Sequence, residues 1–102
     1  MKLHIQSIHF DADTKLLEFT QRKMDKLETF TDELLDANVY FRLDKDASKE
    51  NKIVEIKVNG AHNELFSKER SGSFEAALDE ATESLRRQIL KKKQKKIASS
   101  RG

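Results

Sequence analysis

The stretch Ala37 to Val58, ANVYFRLDKDASKENKIVEIKV, carries two runs of period-two alternation separated by a polar gap. In the first, Ala37, Val39, Phe41 and Leu43 alternate with Asn38, Tyr40 and Arg42; in the second, Val54, Ile56 and Val58 alternate with Glu55 and Lys57. Successive side chains of a strand point to opposite faces, so each run reads as a strand with one buried and one solvated face. The segment between them, Asp44 to Asn51, is polar apart from Ala47, which suits a solvated hairpin loop and makes it the chain's best place for local disorder. No helical period intervenes, so the two strands pair as an antiparallel hairpin.

Outward from there, Asn59-Gly60 marks a turn into a further strand at about Glu64 to Arg70. It does not commit the connection to two residues, because Ala61 to Asn63 has little strand pattern. Upstream, residues 2 to 9 alternate, with Leu3 and Ile5 on one face and His4 and Gln6 on the other, which predicts a first strand. Asp11 to Asp13 supply turn and cap chemistry, Asp13 as N-cap. From Thr14 to about Thr31, Leu16, Phe19, Met24, Leu27 and Phe30 fall within an arc of roughly 140°, an amphipathic helix. Downstream, Ser71-Gly72-Ser73 ends the strands, and a second helix starts near Phe74 with the stripe Phe74, Ala77, Leu78, Ala81, Leu85 and Ile89. The next residues on that face are Lys92 and Lys96, so this helix should outrun the core after Ile89. With no proline in the chain, it should reach about Ile97 and fray over Ser99 to Gly102.

The order is therefore βαβββα. A strand, a crossover helix and a strand form a right-handed parallel unit, the next two turns form a meander, and the last helix returns to the face of the first. The expected fold is α+β: a four-stranded mixed sheet with two helices packed on one face, the layout of double-stranded-RNA-binding domains. The other sheet face, with Lys2, His4, Tyr40, Arg42, Glu55 and Lys57, is expected to be mainly polar.

The 102 residues suffice for one domain, and 36% hydrophobic against 37% charged residues predicts a small core. The absence of cysteine excludes disulfides, thiolate chemistry and thiolate zinc sites. Met1 to Phe10 lacks the apolar run of a signal peptide and no stretch could span a bilayer, so a cytoplasmic location is expected. His4, His9 and His62 have no paired helical spacing, which argues against a metal site. Ser7, Ser48, Ser67, Ser71 and Ser73 sit in no nucleophile elbow, and three glycines make no phosphate loop. Neither an enzyme activity nor a cofactor is expected.

Charge is the informative property. Arg86 to Gly102 holds eight bases and no acid, which leaves 12 of the 20 bases against all 18 acids in the first 85 residues. Two or three cations would serve a helix C-terminus; eight point to a polyanion. An anionic membrane is the weaker partner, with only Leu90 and Ile97 as apolar anchors at that end. On the first helix Lys15, Arg22 and Lys26 lie within about 40° of one another, with Glu18, Asp25 and Glu28 on the opposite flank. Lys23 projects from within the apolar arc, where its stem can cover the core edge. Tyr40 alone is no aromatic platform, and the element order is not that of an RNA-recognition motif. Bases along helix flanks suit phosphate contact and reading of shape instead.

Order and residues together resemble the ribosome hibernation promoting factors, the short-form family that includes the ribosome-associated inhibitor. The likeness covers nearly the whole chain. It rests on Phe19-Thr20-Gln21-Arg22-Lys23-Met24-Asp25-Lys26-Leu27-Glu28, on Phe74 to Asp79, and on Arg87-Gln88-Ile89 followed by Lys91 and Lys93. Glu75 departs from the tyrosine of many members. The resemblance implies binding to the small ribosomal subunit and its rRNA between head and body, in competition with mRNA and tRNA, and inhibition of translation during stasis or stress. It implies RNA contacts at Arg22, Lys23, Lys26, Arg87, Lys91 and Lys93, to which charge geometry adds Lys92 and Lys95. On this reading residues 1–97 are one ribosome-binding domain and 98–102 a flexible tail. No DNA or membrane partner is expected, and the protein should be a monomer off the ribosome. Longer members continue into a second domain that pairs ribosomes; the likeness is to the short form. A general structured-RNA-binding module and a protein-interaction adaptor using the sheet face remain the alternatives.

Overall fold

The computed structural model describes the backbone of residues 1–45 and 49–101 and the side chains of residues 1–45 and 49–93. Its elements are β1 (Lys2–Ile8), α1 (Thr14–Leu27), β2 (Leu34–Leu43), β3 (Lys52–Gly60), β4 (Glu64–Ser71) and α2 (Phe74–Arg101). The strands form one sheet in the order β1-β2-β3-β4, parallel between β1 and β2 and antiparallel elsewhere. This is the expected βαβββα fold, with both helices on one face.

Register explains where the core lies. Leu3 pairs with Ala37, Ala37 with Val58 and Val58 with Leu65, while Ile5, Val39, Ile56 and Ser67 form the next row. Each row turns its side chains to the same side, and the helices cover that side. Leu16, Met24 and Leu27 of α1 and Ala77, Leu78, Ala81, Leu85 and Ile89 of α2 are buried against it. The small Ala77 and Ala81 let α2 approach the sheet closely. Thr20 and Thr82 are buried too, each donating its hydroxyl to its own helix, to Leu16 O at 2.7 Å and Leu78 O at 2.9 Å.

The helix ends follow from local chemistry. Asp13 caps α1, its Oδ1 accepting from Leu16 N at 2.8 Å, and Ser73 Oγ accepts from Ala76 N at 3.1 Å at the start of α2. α1 ends at Leu27 rather than near Thr31. The amides of Glu28, Thr29 and Phe30 donate to Asp25 O, Lys26 O and Leu27 O, three residues back, so the last turn tightens while Phe30 still packs on the core. Between β3 and β4, Asn59 pairs with Glu64, and Gly60 N donates to Asn63 O at 2.8 Å. Gly60 does not adopt a positive φ. A Cβ there would stand 3.1 Å from Asn63 O and 3.3 Å from Glu33 O, so close approach of backbone is what requires glycine.

The outer sheet face differs from expectation at two residues. Ile53 is buried on it, between its cross-strand partners Arg42 and Arg70, whose stems can cover it. Phe66 is half exposed on it. In the β2–β3 loop, Asp44 N donates to Asn51 O and Asp44 pairs with Arg70 at 2.9 Å. Local disorder is expected over the whole of Asp44 to Asn51, but its two ends are joined by that backbone bond, and residues 46–48 lie outside the described residues.

Candidate nucleic-acid interface

The two helices run side by side in the same direction. Phe10, before α1, stacks on Phe74 with ring centroids 4.5 Å apart; further along, Lys23 meets Asp79, and then Phe30 meets Arg86. The flank of α1 that faces α2 is consequently its basic one. Arg22 and Lys26 are exposed. Lys23 is half-buried as its place in the apolar arc implies, with Nζ 2.5 Å from Asp79 Oδ1 and 5.4 Å from the Phe19 ring centroid. The Arg22 guanidinium lies 5.9 Å from the same ring, so Phe19 steadies two of the basic stems.

On α2, Ile89 is the last buried residue of the stripe and Lys91, Lys92 and Lys93 are all exposed. Arg87 and Lys91, one turn apart, share a flank. Lys92 continues the core face, and with Lys93 it overhangs a cavity whose apolar walls are Phe30, Leu34, Leu65 and Ile89. The side chain of Lys95 lies outside the described side chains. The backbone of α2 runs to Arg101, past the end expected near Ile97, because no glycine or proline stands between Phe74 and Gly102 to stop it, so residues 98–101 are helical where a tail is expected. Arg22, Lys26, Arg87, Lys91, Lys92 and Lys93 make no ion pair with any described residue.

Acids divide these cations. Arg86 forks onto Glu83 through Nε at 3.0 Å and its terminal nitrogen at 2.5 Å. That hydrogen bonding holds the Glu83 carboxyl below its ordinary value; burial opposes it, and the charges of Arg86, Arg87 and Lys26 add to it. The same contact raises Arg86. The charges of Lys26 on α1 and Arg87 on α2 thus act on one carboxylate. Sequence reading missed this, although a signal was present: residues 74–85 hold four acids and no base. It also passed over Phe66, which shares the outer sheet face with Tyr40 but lies two strands away, roughly 10 Å across the sheet. Those two rings do not form a stacking pair. Among the described residues, no group of three or more His, Cys, Asp or Glu side chains could hold a metal ion.

The model of the sigma 54 modulation protein / S30EA ribosomal protein family matches residues 3–97. The chain belongs to this family. Its fold is similar to the crystal structure of the Thermus thermophilus Protein Y N-terminal domain, with TM-score 0.76 and 20% identity over 87% of this chain and 96% of that one. It is equally similar to a ribosomal subunit interface protein from Coxiella burnetii, with TM-score 0.77 and 22% identity over 92% of this chain and 99% of that one. The S30EA match runs from β1 into the last turns of α2 and so includes every residue of the expected RNA contact set. The family named by the α1 and α2 motifs is the one matched.

Proposed function

We propose that this protein is a ribosome hibernation factor, which occupies the mRNA and tRNA channel of the small ribosomal subunit in the cytoplasm and blocks translation during stasis or stress. The observation that carries the reading is the set of exposed cations Arg22, Lys26, Arg87, Lys91, Lys92 and Lys93, free of ion pairs with described residues, on adjacent helices of an S30EA domain. Such side chains neutralise phosphates and release condensed counterions, which supplies affinity without reading bases. Inhibition is then steric, because a folded domain and the decoding ligands cannot share one channel. Lys23 and Lys95 belong to the proposed contact set, Lys23 while it stays paired with Asp79.

Mutual exclusion tests this. Each of two ligands that compete for one site raises the apparent dissociation constant of the other. Binding to small subunits should weaken progressively as subunits are preloaded with mRNA and initiator tRNA. Undiminished simultaneous occupancy would rule out blockade. Equal affinity for naked structured RNA and for subunits would favour the general RNA-binding module.

A further inference from the structure

α2 changes sign along its length. Residues 74–85 hold Glu75, Asp79, Glu80 and Glu83 with no base, and residues 86–102 hold eight bases with no acid. Because α1 lies alongside the acidic half, its bases meet those acids. Lys23 is paired with Asp79, and Glu83 is forked by Arg86 within the field of Lys26 and Arg87. Asp79, Glu80 and Glu83, with Glu69 of β4, line a shallow depression that has Arg87 at its rim. A carboxylate bonded to an ammonium or a guanidinium takes the place a phosphate oxygen would take.

We infer that Asp79 and Glu83 are specificity-determining residues for RNA binding, filling the positions between the α1 and α2 bases that a continuous run of phosphates would otherwise occupy. The inference rests on the reading of the protein as a small-subunit binder. An RNA whose phosphate track crosses both helices must bring its charge against these carboxylates or displace them from Lys23 and Arg86. Juxtaposed like charges suppress wrong partners. A surface with two separate phosphate clusters, one for Arg22 and Lys26 and one for Arg87 and the lysines beyond it, meets no such penalty. Regular duplexes present evenly spaced charge, whereas folded ribosomal RNA presents phosphates in fixed, uneven clusters. The acids thereby make a cationic protein choose by shape.

Both pairs are substantially exposed, so Asp79→Asn with Glu83→Gln should leave the fold intact, as a thermal melt would verify. The full chain and this double variant are compared for binding to isolated small subunits and to an unrelated RNA duplex of about 16 base pairs, the span of a double-stranded-RNA domain. A second double variant, Glu18→Gln with Glu75→Gln, removes the same charge away from the paired bases. The Asp79/Glu83 variant should bind the duplex at least about tenfold more tightly at low salt, with a steeper salt dependence, and change less than about threefold on subunits. Equal tightening on both targets, no tightening on the duplex, or the same effect in the Glu18/Glu75 variant would each overturn the inference. Failure of the unmodified chain to bind subunits would remove the proposed function itself, and that result is read before any variant is compared.

Discussion

Ser67 is buried on the inner sheet face beside Ile56, and its Oγ has no hydrogen-bond partner among the described residues. An enclosed hydroxyl left unbonded costs about 1–3 kcal/mol relative to a satisfied one, while alanine at the site loses almost no volume. Ser67→Ala should therefore leave stability unchanged or raise it by about 1 kcal/mol, read as a higher urea midpoint at unchanged slope. A lower midpoint would mean that the hydroxyl contributes a bond. The burial of Ser67 and the exposure of Phe66 were not legible from β4 alone. Leu65 and Phe66 are adjacent, so one of them must face outward, and only the pairing of Leu65 with Val58 decides which. Residue-scale facing is set by the neighbouring strand. Asp13 was legible because a cap is a local arrangement of one side chain and one amide.

At the scale of elements, periodicity fixed which segments form strands and helices but not where each ends. α1 stops at Leu27 although Phe30 keeps the helical phase, because a tightened turn holds Phe30 against the core almost as a helix would. No glycine or proline marks that end. α2 is the clearer case, since its stripe changes from apolar to cationic after Ile89 and the burial follows. Leu85 is fully buried, so Leu85→Ala should cost about 2–5 kcal/mol of stability, seen in thermal or urea unfolding, with RNA contacts untouched. Replacing Lys91, Lys92 and Lys93 by glutamate should do the reverse and abolish binding to small subunits with little change in melting temperature, because all three are exposed beyond the core. Equal losses of melting temperature would show that the core extends past Ile89.

Across the whole molecule the charge is a dipole, and the sequence located its positive end without showing how acids interrupt it. Terminal bases are contiguous in the chain and can be counted. The contact of Lys23 with Asp79 and the pull of the Lys26 charge on Glu83 join residues on different helices, so only the packing of α1 on α2 reveals them. That packing bears on how binding should respond to salt. The six bases Arg22, Lys26, Arg87, Lys91, Lys92 and Lys93 stand without ion pairs to described residues, and if each neutralises one phosphate, log K for small subunits should fall with log salt at a slope of about −4 to −5. Lys23 and Arg86 should add little, because binding through them exchanges one anion for another already held and releases no counterion. Titrations at several salt concentrations measure the slope directly. Substituting Lys91, Lys92 and Lys93 by glutamine should make it shallower by about 2 to 3, and Lys23→Gln should leave it nearly unchanged. A flat response in the unmodified chain would remove the electrostatic mechanism, and a full unit lost on substituting Lys23 would show that RNA takes that lysine from Asp79 without the acid standing in its way.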